Sequence, residues 1–254
     1  MKVGKKGGRR HLKRKPAPAF WPIHRKEYLW TVKPNPGPHP IGESIPLILV
    51  LRDMLGVAQR RGEAKAILSS QKVIVDGQVQ KEELFPAGLM DVITIPEMEK
   101  SYRVLPSNKG LTLHVVGKDE AGFKICRIEN KTVVNGGNVQ LNLHDGRSIL
   151  VKVKEPSKPA EDVFKTLDSV KISLPSQEIL SHLKLSEGAQ AVIVGGKNAG
   201  KHGKVVALEQ REHQKRKNAL VTIEDVRGSR FQTTVEYVFV VGDAKPHISL
   251  PEEV

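Results

Sequence analysis

The chain has 254 residues, a formal net charge of +13 and a sequence pI near 9.8, so its partner is expected to be acidic. A single cysteine, Cys126, excludes an internal disulfide, a zinc ribbon or a thiol pair, and suits a reducing compartment. The longest apolar run, Ile45–Leu51, is interrupted by Pro46, and the charged N-terminus lacks the apolar stretch of a secretory signal. A cytoplasmic protein without membrane contact is therefore expected.

The charge is unevenly spread. Ten of the 41 Lys and Arg precede Glu27, the first acidic residue, whereas the rest of the chain holds 31 basic against 28 acidic side chains. Residues 1–42 read as an extended basic arm, rich in proline and aromatics. Its candidate contacts are Lys5, Lys6, Arg9, Arg10, His11, Lys13, Arg14 and Lys15, followed by Trp21, His24, Arg25 and Lys26. Such a segment has too little apolar area and too much self-repulsion to order alone, so it is expected to take shape only around a polyanion. Nucleic acid supplies both the charge and bases for Phe20, Trp21, Tyr28 and Trp30 to stack on. A localisation patch would account for the basic run but not for the aromatics. The tryptophans either stack on bases or anchor the arm on the body, and the sequence leaves both readings open.

From Glu43 the pattern predicts a helix, with Ser44 as N-cap, Pro46 in the first turn and Gly56 beyond its end. A second helix fits residues 62–70, where Ala64, Ile67 and Leu68 form an apolar stripe. Arg60 and Arg61 stand at its start, where the macrodipole disfavours cations, which suggests an external phosphate. Val73-Ile74-Val75-Asp76-Gly77-Gln78-Val79 then reads as strand, type I′ turn and strand, with a further strand toward Ile95. The run from Gly56 to Leu68, followed by Val73–Gly77 and Met90–Ile93, resembles the alpha-L RNA-binding domain. That resemblance makes residues 43–105 one module and implies that Arg60, Arg61, Lys65 and Lys72 face RNA. Gln71 departs from the family pattern, which usually has a helix-ending glycine there.

Residues 106–173 read as a central antiparallel β domain. The predicted strands are Leu111–Val116, Phe123–Glu129, Val139–His144 and Arg147–Lys154, with turn chemistry at Asn135-Gly136-Gly137 and Asp145-Gly146. Pro156–Pro159 reads as an exposed loop and Leu174–Ser176 as a boundary. Cys126 is expected to be a buried small hydrophobe, and His114 and His144 lack partners at ligand spacing.

Gly195 to His202 satisfies the spacing of a phosphate-binding loop, but His202 stands where a hydroxyl is needed and the residues that follow read as strand. The stretch Gly188–Val206 instead resembles the KOW motif, which opens a small SH3-like barrel. Ala219–Asp225, Arg230–Thr234 and Tyr237–Val241 would complete it. The glycines then allow close backbone approach to RNA, with Lys197, Lys201, His202 and Lys204 near phosphate and Lys215, Arg216 and Lys217 in a basic loop. Residues 174–254 form this third unit.

Taken together, the basic arm with Arg10-His11-Leu12-Lys13-Arg14, Trp21 and Gly37-Pro38-His39, the alpha-L pattern, the β module, the KOW pattern and Ile248-Ser249-Leu250-Pro251 resemble the fourth e-type small-subunit ribosomal protein family. The resemblance implies a multi-domain, mainly β, α+β protein that binds small-subunit ribosomal RNA beside neighbouring ribosomal proteins. It also implies no enzymatic activity, no small-molecule substrate and no independent homo-oligomer. No triad, paired-carboxylate or metal-ligand spacing stands out, so neither catalytic residues nor a metal or cofactor is expected. The rival readings are an RNA-modifying enzyme and a free transcription or translation factor.

Overall fold

The computed structural model describes residues 11–153, 163–209 and 215–251. Residues 11–42 are folded within it. β1 (Leu12–Lys13) pairs antiparallel with β2 (Trp30–Thr31). Between them, the Arg25 guanidinium donates to the carbonyls of Arg14, Lys15, Ala17 and Pro18 at 3.2, 2.8, 3.1 and 2.8 Å. Arg14 donates to the Trp30 carbonyl at 3.1 Å and to that of His24. Trp21 is 3% exposed, packs in a core with Ile45 and Leu47, and donates its indole N–H to the Ser44 carbonyl at 2.8 Å. The expectation that this segment orders only around a polyanion is corrected for residues 11–42. Charge-assisted bonds to carbonyls occupy two of its cations, and burial of a large apolar side chain contributes about 1.5–3 kcal/mol.

The predicted helix start at Ser44 is a strand. β3 (Ser44–Pro46) pairs with residues 86–88, and the Ser44 hydroxyl donates to the Pro40 carbonyl at 2.8 Å instead of capping a helix. Helical turns begin after Pro46 with α1 (Leu47–Leu49) and continue through a π-helical stretch, Val50–Met54. Gly56 follows with φ +64°, the stop that the sequence predicts. α2 (Arg61–Ser69) buries Ala64 and Leu68, and Ile67 packs against the same core. Glu63 closes its N-terminus by accepting the Gln59 and Arg60 N–H groups at 2.8 and 3.2 Å. Gln71 takes the left-handed position after the helix, φ +63°, at a cost of roughly 1 kcal/mol relative to glycine.

β4 (Ile74–Val75) and β5 (Gln78–Val79) form the predicted hairpin, with positive φ at both Asp76 and Gly77. β6 (Pro86–Gly88), β7 (Val92–Ile95), β8 (Lys100–Ser107) and β9 (Gly110–Val116) follow. A five-stranded sheet in the order β5-β4-β7-β8-β9 therefore runs past the expected division after residue 105. Every residue from Ser101 to Pro106 is buried, so β8 lacks the alternation that marks a half-buried strand.

After the short α3 (Lys118–Ala121) comes the central sheet: β10 (Phe123–Val133), β11 (Val139–Leu143), β12 (Ser148–Val151), β13 (Ser169–Ser173) and β14 (Ile179–Leu183). Its order is β12-β11-β10-β13-β14. Leu174–Ser176 joins β13 to β14, so this sheet extends beyond the expected boundary to Leu183. The expected loop at 156–159 lies outside the described residues.

The third sheet contains β15 (Gln190–Ile193), β16 (His202–Glu209), β17 (Leu220–Glu224), β18 (Arg230–Thr234) and β19 (Val238–Gly242), in the order β18-β17-β16-β15-β19. Its core continues into the other two units through Met90, Leu105, Ile125 and Leu183. Near the C-terminus, Ser249 is tied to Glu120 by two hydrogen bonds, 3.0 Å from its N–H and 2.6 Å from its hydroxyl.

A buried charge cluster joins the first and central sheets. Lys124 of β10 is fully buried, and its ammonium meets Asp91 at 2.5 Å, Asp76 at 2.8 Å and Asp145 at 3.0 Å. Arg147 reaches Asp76 at 2.6 Å and Asp145 at 3.2 Å, and His39 Nε2 lies 3.0 Å from Asp91. Backbone N–H groups of Gly88, Val92 and Arg147 donate to Asp91, Asp76 and Asp145 at 2.8, 2.9 and 3.2 Å. Burial opposes ionisation of Asp91, but Lys124 and His39 outweigh it and hold the carboxyl well below the usual range. Burial likewise disfavours the Lys124 ammonium, yet Asp91 and Asp76 lift its pKa above the ordinary lysine value. Asp76 goes the other way, raised by burial and by Asp91.

Linkage fixes the sign of each contribution. The Asp91 contribution is present above the unfolded carboxylate pKa of about 3.9 and is lost as pH falls. That of Lys124 is present below about 10.4 and is lost as pH rises further. Asp76, with its raised pKa, contributes in the opposite sense to Asp91. Beside the cluster, His144 Nδ1 accepts the Arg127 N–H and Nε2 donates to the Leu89 carbonyl, both at 3.2 Å, which fixes a neutral ring. Loss of solvation, with Lys124 nearby, pushes this histidine down to about 3.

Two outcomes are expected in urea unfolding. Lys124→Met leaves three carboxylates without their central cation and lowers stability by about 3–5 kcal/mol. His144, depressed below its unfolded value of about 6.5, contributes stability above that pH which is lost as pH falls toward 3. His144→Gln therefore shrinks the stability difference between pH 7 and pH 4.5 by about 2 kcal/mol. An unchanged difference would contradict the neutral-ring assignment.

Candidate nucleic-acid interface

The glycine-rich loop after β15 folds back on itself: Gly200 N–H donates to the Ile193 carbonyl and Ile193 N–H to that of Lys201, both at 2.8 Å. Gly196 and Gly200 have φ of +79° and +88°. A Cβ on Gly200 would stand 2.8 Å from the Ser107 Cα, and one on Gly203 would stand 2.2 Å from the Glu224 carbonyl oxygen. The close approaches these glycines permit are thus to the chain's own backbone, where the loop seats on the β8–β9 turn. Strand β16 begins at His202, so no helix N-terminus follows the loop and the phosphate-binding geometry of a nucleotide site is absent here.

Around that loop, Lys197 and Lys204 are exposed. Lys201 lies over the Phe231 ring with Nζ 3.6 Å from its centroid, and His202 is partly buried. Lys215 and Lys217 are exposed, whereas Arg216 reaches Asp168 of the central unit at 3.1 Å. On the first unit, Arg60 and Lys65 are exposed. Arg61 forms a two-pronged pair with Glu83 at 2.6 and 3.2 Å, and Lys72 pairs with Glu97 at 2.6 Å. Exposed pairs of this kind contribute only about 0–1 kcal/mol, little enough for a phosphate to replace the carboxylate.

The N-terminal cations divide into two groups. His11, Lys13, Lys15, His24 and Lys26 face outward, while Arg14 and Arg25 are committed to internal carbonyls. Lys5, Lys6, Arg9 and Arg10 lie outside the described residues. Burial closes Trp21 to base stacking, whereas Tyr28 and Trp30 are exposed. Nothing in the residues around them separates the two tryptophans. The one available signal was the pairing of Trp30 with the Lys13–Arg14 stretch, visible only once the hairpin register is known.

Cys126, His144 and Asp145 bring ligand atoms within 4.8 Å of one another, the only such group among the described residues. The donors are already engaged. Asp145 holds Lys124 and Arg147, both His144 nitrogens are bonded, and burial pushes the Cys126 thiol well up, so it stays protonated. This is a structural cluster and not a metal centre. A groove of about 600 Å³ opens between the units, lined in part by Glu43, Glu129, Arg127 and Tyr237. Arg127 within it is bonded to Glu129 and to the Glu236 carbonyl. Among the described residues, no nucleophile and base are paired there, and no helix is long and apolar enough to cross a membrane.

The chain is similar to proteins already characterised. Residues 98–179 match the model of ribosomal family S4e, and residues 6–42 match the RS4NT (NUC023) domain. The small ribosomal subunit protein eS4 of Aeropyrum pernix is 51% identical, covering 98% of this chain and 98% of that protein. Its counterpart in Staphylothermus marinus is 49% identical over 98% of this chain and 99% of its own length. The crystal structure of the 30S ribosomal protein S4e from Thermoplasma acidophilum superposes with a TM-score of 0.65. It is 28% identical and covers 80% of this chain and 96% of that one.

Proposed function

The chain belongs to ribosomal protein family S4e, and from that position we propose that it holds folded small-subunit ribosomal RNA at several separated surfaces of one rigid body. Members of this family are structural, non-enzymatic constituents of the small ribosomal subunit and act in translation, and this chain is one of them.

The observation that carries the reading is the partition of the cations. After Arg14, Arg25, Lys124 and Arg147 have met internal needs, outward-facing cations remain on every unit: Lys13, Lys15 and Lys26 on the N-terminal segment, Arg60 and Lys65 on the first unit, Lys152 and Lys165 on the central one, and Lys197 and Lys204 on the third. In this reading the first unit is an alpha-L domain that meets RNA with α2. The third is a KOW barrel whose loop lysines contact phosphate. The N-terminal residues, including Lys5, Lys6, Arg9 and Arg10, neutralise further phosphates. Recognition is by RNA shape, because phosphate contacts set position and carry little sequence information.

Salt dependence tests this reading. Each neutralised phosphate adds about −0.7 to −0.9 to the slope of log affinity against log salt. Removing Met1–Arg10, which carries five Lys and Arg, is expected to flatten the slope for small-subunit ribosomal RNA by up to about 3.5–4.5 in a filter-binding series. An unchanged slope would contradict an RNA role for that segment.

A further inference from the structure

Three consecutive large side chains at the end of the N-terminal hairpin stand in solvent. Tyr28, Leu29 and Trp30 are 65%, 61% and 51% exposed. Their backbone is fixed. Trp30 pairs with Lys13 in the β1–β2 ladder, the Arg14 N–H donates to the Leu29 carbonyl at 3.0 Å, and the Arg14 side chain holds the Trp30 carbonyl at 3.1 Å. Each exposed ring also carries a cation. Lys13 Nζ is 5.8 Å from the Trp30 ring centroid, and the Arg14 guanidinium is 4.9 Å from that of Tyr28. His11 leans against Trp30 with centroids 5.5 Å apart. Trp21 shows that this same segment can bury an indole completely, so the exposure of Trp30 is not forced by a lack of core.

We propose that Trp30, with Tyr28 beside it, is a stacking platform for an unpaired RNA nucleotide. The inference deepens the RNA-binding reading above and rests on it. An exposed aromatic face accepts any base, while the exposed Lys13 beside Trp30 is placed to neutralise a neighbouring phosphate. A duplex hides its base faces in the stack, so the ligand is a single-stranded loop, bulge or end. The outward-facing Lys13 on the Trp30 ring and Lys15 near it in the chain favour a polyanion over an apolar protein surface. Because the hairpin is already ordered, little conformational entropy is lost when the base docks.

Intrinsic fluorescence gives a direct test, since the chain has two tryptophans and Trp21 is shielded. The full chain is titrated with an unstructured mixed-sequence RNA strand and, separately, with a blunt RNA duplex of equal phosphate count. The strand is expected to quench wild-type emission and the duplex to leave it largely unchanged. Trp30→Leu is expected to lose the quench and to bind the strand roughly tenfold more weakly, with duplex affinity unchanged. Trp30→Tyr, which keeps a ring and the hairpin, is expected to retain most of the strand affinity. Equal strand affinity in Trp30→Leu and wild type, or equal quenching by duplex and strand, overturns the platform while leaving RNA binding intact. Failure of the wild type to bind either RNA overturns both readings.

Discussion

A lysine ammonium enclosed by three carboxylates joins two sheets that share no strand ladder. Asp76 and Asp91 come from the first sheet, Lys124 from β10, Asp145 and Arg147 from the β11–β12 turn, and His39 from the N-terminal segment. Taking such charges out of water is expensive, and apolar packing of similar volume often does as well or better. What the cluster supplies is geometry. Each carboxylate is also held by a backbone N–H, so the two sheets have one favourable relative placement. The outward cations of Arg60 and Lys65 stand on α2 and its N-cap, which pack on the sheet locked in this way, and the loop bearing Lys197 is seated against the β8–β9 turn of the same sheet.

The same logic explains why so basic a chain folds. Cations directed inward act as hydrogen-bond donors where carbonyls and carboxylates converge: Arg25 on four carbonyls, Arg14 on two, Arg103 on the Glu120 and Phe123 carbonyls. Those left outside carry the electrostatic attraction to a polyanion. Composition alone cannot separate the two populations, because an arginine that staples a loop and one that meets phosphate are the same residue type.

That limit marks what was legible in the sequence. Local chemistry read well. Asp76-Gly77 gave a hairpin turn, the Ala64–Ile67–Leu68 stripe gave α2, and β18 spans the predicted residues. The strand after the glycine-rich loop also separated it from a nucleotide-binding loop. Tertiary constraints did not read. Ser44 has every local feature of an N-cap, but pairing with residues 86–88 makes it a strand. The N-terminal segment resembled a disordered polycation because its cohesion comes from guanidinium–carbonyl bonds, which leave no periodic trace. Lys124 lies inside an apolar strand, Phe123–Cys126, a buried-charge signal that has meaning only once its carboxylate partners are known. Trp21 and Trp30 look equivalent in sequence, and the fold assigns one to the core and the other to solvent.

Native-state hydrogen exchange on the RNA-free protein tests the idea of one body joined through Lys124 most directly. If the account is right, slow amides in the first and central sheets share one opening free energy, and the Arg14 amide bonded to Leu29 is protected without RNA. Separate opening energies for the two sheets, together with unprotected exchange throughout residues 11–31, would contradict it.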